Sequence, residues 1–169
     1  MTNATLLELR GWFTRESVQF REIEHEPTHT SEESARARGE ELKVGGKAIL
    51  MKTDDVFRLF VLSAVRKLDS TAIKKHLQVK KLRFASRDEL FSMTTLFPGA
   101  VPPFSSPILP FELYLDPSVL ANDRIAFNAG TWTNSIVMPI EDYLRLAKPH
   151  GIFCFTVDEG KSATIQQEV

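Results

Sequence analysis

The feature that most constrains the fold is a pair of apolar segments separated by a short polar stretch. Residues 48–51 and 56–65 consist mainly of residues that favour strands, and Thr53, Asp54 and Asp55 lie between them. Apolar strands that lack alternating polar residues are buried on both faces. The sequence therefore predicts a β-hairpin whose two strands lie at the centre of a sheet.

Other patterns along the chain predict helices and strands joined by short connections. The predicted helices cover residues 6–13, 30–39, 69–78, 86–93 and 140–147. The predicted strands outside the hairpin cover residues 20–24, 81–85, 111–115, 124–128, 135–138 and 152–157. Five prolines within residues 97–110 exclude regular structure there, since proline lacks a backbone donor.

These elements indicate one α/β (α+β) domain with a mixed, mostly antiparallel sheet that curls around one core and is flanked by helices. A chain of 169 residues has the size of a single domain, so we expect that domain to span residues 1–169. We expect the last ten residues, 160–169, to be frayed. Thr30 with Glu33 and Ser86 with Glu89 are typical of capping boxes at helix starts.

The net charge of −1 argues against a protein that is held on nucleic acid by overall basicity. One segment is nevertheless strongly basic, and only Asp69 opposes its cations, which are Arg66, Lys67, Lys74, Lys75, Lys80, Lys81, Arg83 and Arg87. A solvated helix face and a local nucleic-acid patch both fit this pattern. The longest apolar runs are too short to span a bilayer, and the N-terminus lacks the features of a signal peptide. We therefore expect no membrane contact and a cytoplasmic location.

The familiar catalytic signatures are absent from the sequence. Pro27 separates His25 from His29, so this pair does not form a metal site on a helix, and no Ser-His-Asp elbow, Walker loop or Gly-x-Gly-x-x-Gly motif is present. We expect no metal and no cofactor. The single cysteine, Cys154, lies between apolar residues, which favours a buried and inert thiol.

Two features remain that could contact a polar ligand, a lysine at a strand start and a proline-rich loop. Lys47 follows Gly45-Gly46 and begins the first strand of the hairpin, so its ammonium group lies either in solvent at the strand end or in a cleft. The loop that begins at Gly99 contains Pro102 and Pro103, which can hold free N–H groups in one orientation toward an oxygen. A rigid connector is the plainer interpretation of this loop.

Together these residues resemble the YbaK/EbsC family, the free-standing relatives of the editing (insertion) domain of bacterial prolyl-tRNA synthetase. The resemblance covers residues 24–147 approximately and rests on motifs in a common order. They are Thr30 with Glu33, Lys47-Ala-Ile-Leu, Lys67-Leu-Asp, Gly99-x-x-x-Pro103-Phe104, and Ala129-Gly130 with Ser135. Two departures stand out: Ala48 follows the lysine where threonine or asparagine is frequent, and Ser105 follows Phe104 where glycine is common.

The resemblance implies a trans-editing aminoacyl-tRNA deacylase, which hydrolyses the ester at the 3′ end of a mischarged tRNA. It implies Lys47 and Gly99 as the catalytic residues. The implied substrate contacts are Ala100, Val101, Pro102, Pro103, Phe104, Gly130, Asn134 and Ser135. For tRNA binding we expect Lys74, Lys75, Lys80 and Lys81.

An aminoacyl ester is already activated, so its hydrolysis needs a positioned water and donors at the forming oxyanion rather than a covalent nucleophile. We expect Lys47 to anchor the substrate by its charge rather than to act as a general base. Two other functions remain open. One is a non-catalytic module that binds tRNA ends or an aminoacyl-tRNA synthetase, and the other is a small-molecule binding domain.

Overall fold

The computed structural model describes residues 3–159, so the frayed tail expected at residues 160–169 lies outside the described residues. The helices are α1 (Ala4–Arg15), α2 (Ser31–Arg38), α3 (Ser70–Leu77), α4 (Arg87–Thr94), α5 (Pro117–Leu120) and α6 (Ile140–Ala147), with a 3₁₀ turn at Leu42–Val44. The strands are β1 (Arg21–Glu24), β2 (Gly46–Thr53), β3 (Val56–Ser63), β4 (Arg66–Leu68), β5 (Leu82–Phe84), β6 (Glu112–Leu115), β7 (Arg124–Asn128), β8 (Asn134–Pro139), β9 (Gly151–Ile152) and β10 (Thr156–Asp158).

The central hairpin predicted from the sequence is confirmed. β2 and β3 pair antiparallel from Gly46 opposite Ser63 to Thr53 opposite Val56, and they lie inside a five-stranded sheet of order β5-β2-β3-β6-β9. The turn between them is fixed by Asp54, whose carboxylate accepts hydrogen bonds from the amides of Lys80 and Lys81. β6 and β9 are parallel to their neighbours, so the sheet is mixed.

A second sheet, of order β1-β8-β7, is antiparallel throughout, and β4 and β10 form a separate antiparallel ribbon. A parallel bridge between Gly45 and Ala126 joins the start of β2 to β7. The two larger sheets therefore continue into one another across this bridge, which gives the mixed, mostly antiparallel and curled arrangement that the sequence predicted.

The curled sheet has a core on its inner face and smaller clusters on its outer face. Ala48 and Leu50 of β2 turn inward to the main core, whereas Ile49 and Met51 turn outward to the cluster under α3. On the neighbouring sheet, Ala126 packs in a third cluster with Val44 and Val137. Because side chains alternate along a strand, each residue of β2 and β7 can be assigned to either the inner or the outer face.

The helix starts carry the caps that the sequence predicted. The Thr30 hydroxyl accepts from the amide of Glu33, and Ser86 forms a complete capping box with Glu89. The carboxylate of Glu33 accepts from the amide of His29, which fixes the chain as it enters α2. Gly39 ends α2 in the left-handed conformation, at φ 69°.

Two predictions near the end of the chain were wrong. Residues 152–157 form two short strands in different sheets, because Phe155 leaves the edge of β6 and its carbonyl accepts from the amide of Asp69 beside β4. Cys154 lies in this crossover and is exposed rather than buried. The apolar neighbours Phe153 and Phe155 point into the sheet, and the alternation turns the thiol outward.

None of the helices within residues 3–159 is long and apolar enough to cross a bilayer.

The proline-rich segment is held to the core by Tyr143 of α6. The Tyr143 hydroxyl is fully buried and donates to the carbonyl of Pro103 over 2.8 Å. We expect Tyr143→Phe to lower the free energy of unfolding by about 1–3 kcal/mol, because it leaves a buried carbonyl without a donor. Urea denaturation measures this difference.

The only other tyrosine of the chain supplies the control. The Tyr114 hydroxyl lies 3.3 Å from a carboxylate oxygen of Glu112 near the surface, where water can replace it. Tyr114→Phe should change the unfolding free energy by less than about 0.5 kcal/mol. Equal effects of the two substitutions would show that the contact with Pro103 does not stabilise the loop.

Candidate active site

The most unusual side chain in the described structure is Arg38, a buried arginine with only 7% of its surface exposed. It lies on the face of α2 that also buries Ser34 and Ala35, one turn before it. Burial lowers the pKa of Arg38 to about 10, against an opposing influence from Glu40, so the guanidinium is charged at neutral pH. A buried charge needs hydrogen-bond partners that are fixed in place.

Arg38 finds these partners on β7 and β8. Its Nε donates to the Ser135 hydroxyl over 2.9 Å, and its Nη2 donates to Oδ1 of Asn128 over 2.9 Å. Ser135 is fully buried, and its hydroxyl also lies 2.8 Å from Nε2 of His25 and 3.2 Å from Oδ1 of Asn128. We call these four side chains, His25, Arg38, Asn128 and Ser135, the polar network.

The polar network holds the loop that begins at Gly99. Nδ2 of Asn128 donates to the carbonyl of Gly99 over 2.7 Å, and the amide of Gly130 donates to the carbonyl of Ala100 over 2.9 Å. Gly99 and Gly130 both have φ of 85°, a conformation that glycine adopts without strain. The structure therefore brings together three elements that the resemblance singled out: the Gly99 loop, Gly130 and Ser135.

The loop offers its backbone rather than its side chains. All five residues after Gly99 are buried, namely Ala100, Val101, Pro102, Pro103 and Phe104. Phe104 lies in the main core against the rings of Trp12, Phe13, Phe127 and Tyr143, so a contact of Phe104 with a substrate would have to use its backbone. Within residues 3–159, the amides of Gly99 and Val101 donate to no protein acceptor.

Lys47 lies on the same outer face as the polar network. Gly45 opposes Ala126 across the bridge between β2 and β7, and the chains run parallel, so Lys47 and Asn128 are each two residues further on. A Cβ on Gly46 would meet Ile125 of the main core, so Gly46 faces inward and Lys47 faces outward. Lys47 therefore lies on the same outer face as Asn128, whose side chain donates to the Gly99 carbonyl.

The ammonium group of Lys47 is half-buried, and none of the described carboxylates forms an ion pair with it. Burial lowers the pKa of Lys47, while Glu32 and Glu159 oppose this effect and Lys67 adds to it. An unpaired cation in such a place reduces stability and is typical of sites that bind an anion or a polarised oxygen.

The other expected contacts have different surroundings. Oδ1 of Asn134 accepts from the hydroxyls of Thr131 and Thr133 within the turn between β7 and β8, which is the polar-turn alternative for this residue. The four lysines expected to bind tRNA are all exposed, Lys74 and Lys75 on α3 and Lys80 and Lys81 beside the hairpin turn. That turn lies about 20 Å along β2 from Lys47, at about 3.3 Å per residue.

The basic segment remains a candidate surface because its lysines are free of ion pairs. Arg66 pairs with Asp158 and Arg83 with Glu89, whereas no described carboxylate pairs with Lys67 or with the four expected tRNA-binding lysines. α3 packs on the outer face between Lys47 and the hairpin turn. Lys74 and Lys75 are therefore carried by a helix on the same face of the sheet as Lys47, and Lys80 and Lys81 lie at the hairpin end.

A cavity of about 490 Å³ is lined by none of the residues of the polar network or the Gly99 loop, and not by Lys47. It is lined by Lys43, Ser63, Val65, Arg66, Asp116, Pro117, Ser118, Ala121, Asn122 and Cys154. The buried Asp116 at its edge is already satisfied, since its two oxygens accept from the amides of Ser118 and Phe155. We therefore do not assign the site to this cavity. Within the part of the chain that is described, no group of three His, Cys, Asp or Glu side chains is placed to hold a metal ion.

Sequence reasoning missed Arg38 and Asn128. The sequence did not identify Arg38 because it follows Arg36 near the end of a short, polar helix, where cations are usually solvated. Its spacing of four residues from the buried Ser34 was the available signal. Asn128 ends a strand, and nothing in its local pattern indicates a partner 29 residues away in the chain.

Comparisons with known proteins show which family the chain belongs to. A model of the aminoacyl-tRNA editing domain family matches residues 25–146. The chain is 33% identical over 153 residues to the multifunctional Ser/Thr-tRNA deacylase ProXp-y of Escherichia coli K12, covering 87% of this chain and 90% of that protein. It is 31% identical over 101 residues to the proline–tRNA ligase of Shouchella clausii, covering 60% of this chain and 18% of the ligase.

Solved structures share the fold. A protein proposed to be a trans-editing enzyme for prolyl-tRNA synthetase superposes with a TM-score of 0.80 at 22% identity, covering 93% of this chain and 99% of the other. The chain thus belongs to the aminoacyl-tRNA editing domain family, and the family resemblance found in the sequence is confirmed.

The role of Arg38 in holding the Gly99 loop can be tested by substitution. We expect Arg38→Met, which keeps the length but removes the donors, to lower the free energy of unfolding by about 1–3 kcal/mol. It should also speed hydrogen exchange at the amide of Gly130, which reports the contact with Ala100. Urea denaturation and amide exchange by NMR measure the two effects.

The control lies on the same helix. Arg36 is exposed, so Arg36→Met should change the unfolding free energy by less than about 0.5 kcal/mol and leave the Gly130 exchange rate unchanged. If the Gly130 amide exchanges at the same rate in Arg38→Met as in the wild type, the polar network does not hold the Gly99 loop in place.

Proposed function

We propose that this protein hydrolyses, in trans, the ester that joins a wrong amino acid to the 3′ end of a tRNA. The observation that carries the proposal is that Lys47, a lysine without an ion pair among the described residues, lies on the same outer face as Asn128, which holds a glycine loop with free amides, in a chain of the editing family. The activity is that of an aminoacyl-tRNA deacylase, and we place it in the cytoplasm, where tRNA is charged and used.

The Gly99 loop supplies the transition-state contacts. Attack of water on the ester carbonyl places negative charge on the carbonyl oxygen, and the amides of Gly99 and Val101 are the donors available to it. The bonds from Asn128, Trp132 and Tyr143 to this segment hold those amides in place before the substrate arrives. Removal of a single preorganised donor of this kind costs about 10²–10³-fold in rate in other enzymes.

Lys47 anchors the substrate. Its ammonium group is half-buried without a counter-ion, so an incoming phosphate or ribose oxygen would supply the partner that the protein lacks. Anchoring requires the protonated form, and burial lowers the pKa of Lys47. The contribution of Lys47 should therefore be lost as the pH rises through a pKa that lies below the usual lysine range.

The amino acid to test first is indicated by the relatives. The E. coli relative is named for seryl- and threonyl-tRNA, and the S. clausii relative is a proline–tRNA ligase. We infer that seryl and threonyl esters are the first candidate substrates, and that tRNA approaches along the lysines of α3 and the hairpin turn. A prolyl-tRNA synthetase is the first candidate protein partner.

Ala48 does not argue against catalysis. Its side chain packs on the main core, on the face of β2 opposite Lys47. A threonine or asparagine at this position would therefore also point away from the outer face. The departure at residue 48 removes no contact on the face where Lys47 lies, which weakens the alternative of a non-catalytic binding module.

The test is deacylation of a panel of charged tRNAs by the purified chain and by Lys47→Met. We expect wild type to release serine or threonine, and Lys47→Met to lose at least about 100-fold in rate. We also expect Lys47→Met to unfold at a higher temperature than wild type at neutral pH, because a half-buried charge without a partner is removed. That gain should shrink as the pH rises and Lys47 loses its proton in wild type.

Lys52→Met is the matched control, since Lys52 lies on the same strand but faces inward at the far end, over the ring of Phe57. It should leave deacylation unchanged. Full activity in Lys47→Met would remove the lysine from the mechanism. Binding of tRNA without turnover of any charged tRNA would instead establish a binding module.

A further inference from the structure

A row of aromatic rings runs over the surface to the Gly99 loop. Phe91 of α4 stacks on Phe97 with centroids 5.2 Å apart, Phe97 lies 5.7 Å from Trp132, and Trp132 lies 6.0 Å from the ring of His29. The guanidinium of Arg87 lies 4.8 Å from the centroid of Phe97. We call Phe91, Phe97 and Trp132, with Arg87, the aromatic ladder.

The aromatic ladder is unusually exposed for large apolar side chains. Phe91 is 46% exposed and Phe97 is 36% exposed, and Met93 beside them on α4 is also exposed. The other rings of the protein pack in the core, where burial is favourable. Clustered exposed rings mark a surface that binds something.

The ladder ends at the candidate active site. Nε1 of Trp132 donates to the carbonyl of Pro98 over 3.0 Å, and the same nitrogen would lie 3.4 Å from a Cβ on Gly99. Phe97 precedes Pro98 and Gly99 in the chain. A molecule that lies along the rings therefore reaches the exposed backbone of Gly99 at one end.

We propose that the aromatic ladder binds the unpaired 3′ nucleotides of tRNA by stacking of their bases on its rings. The identity of the RNA rests on the proposed function, whereas the stacking surface rests on the rings alone. Single-stranded RNA is recognised in this way, through aromatic faces and arginine planes, and the binding is tolerant of sequence. Arg87 has no described carboxylate partner, so its charge is available to a phosphate as well as to a base.

The position of the ladder favours RNA over a protein partner. Gly99 is exposed beside Trp132, and a protein that docked on the rings would cover it. A strand that ends at this point leaves its last nucleotide over the Gly99 loop and its preceding nucleotides on Trp132 and Phe97. The reacting ester at the 3′ end and the free amides of the loop are then close together.

The binding test uses the fluorescence of Trp132. The chain has two tryptophans, so Trp12→Phe leaves Trp132 as the single reporter. We expect an RNA hairpin with a single-stranded CCA 3′ overhang to quench this fluorescence, and the same hairpin with a blunt end not to do so. In this background Phe97→Leu should weaken binding of the overhang about tenfold, the value of one stacked base.

The matched control is Phe57→Leu. The Phe57 ring also makes a cation–π contact, with Lys52, but it lies beside the hairpin turn and outside the aromatic ladder. This substitution should leave binding unchanged. Lys47→Met removes the anchor and should weaken binding of the overhang, but the bound overhang should still quench Trp132 at saturation while hydrolysis is lost. A failure of hydrolysis and a failure of stacking are therefore distinguishable. Absence of quenching by the overhang, equal quenching by the blunt hairpin, or an unchanged affinity in Phe97→Leu would each overturn the proposal. Loss of binding to purified prolyl-tRNA synthetase in Phe97→Leu, with RNA binding intact, would assign the rings to a protein partner instead.

Discussion

The arrangement of the site depends on one buried cation. Arg38 reaches from α2 into the face of the second sheet and donates to Ser135 and Asn128, and Asn128 in turn donates to the carbonyl of Gly99. Burying a guanidinium is costly unless its donors are satisfied, so the residues around it have little freedom to move. The same constraint that fixes the end of α2 also fixes the loop that presents free amides. A site whose loop is held in this way needs no rearrangement when charge develops on the substrate.

The curl of the sheet explains why residues far apart in the chain meet. The single bridge between Gly45 and Ala126 makes the outer faces of two sheets continuous. Lys47 emerges on that outer face beside the polar network, and α3 carries further lysines along it. The main core lies on the inner face and two smaller clusters lie on the outer face, where Lys47 is half-buried without an ion pair to any described carboxylate.

Most elements of the fold were predictable because their signals are local. The hairpin, the α6 helix and the caps at Thr30 and Ser86 follow from apolar spacing and capping residues. The strand expected at residues 152–157 failed because a crossover between sheets depends on Asp69 and Asp116, which are distant in sequence. In the site, motif order pointed to Lys47 and Gly99, whereas Arg38 and Asn128 act through contacts across the fold. The burial of Phe104 was missed for the same reason, since its motif says nothing about the direction of a side chain.

The central claim is that Lys47 and the Gly99 loop act on the same ligand. The most direct measurement is a crystal structure of the chain with an adenosine that carries serine in a non-hydrolysable amide link at the 3′ position. We expect the ammonium of Lys47 to lie within hydrogen-bond distance of a ribose or phosphate oxygen of this analogue, or of its carbonyl oxygen, while the amide of Gly99 or Val101 donates to that carbonyl. An analogue bound elsewhere, or bound at the Gly99 loop with Lys47 turned away into solvent, would contradict the claim.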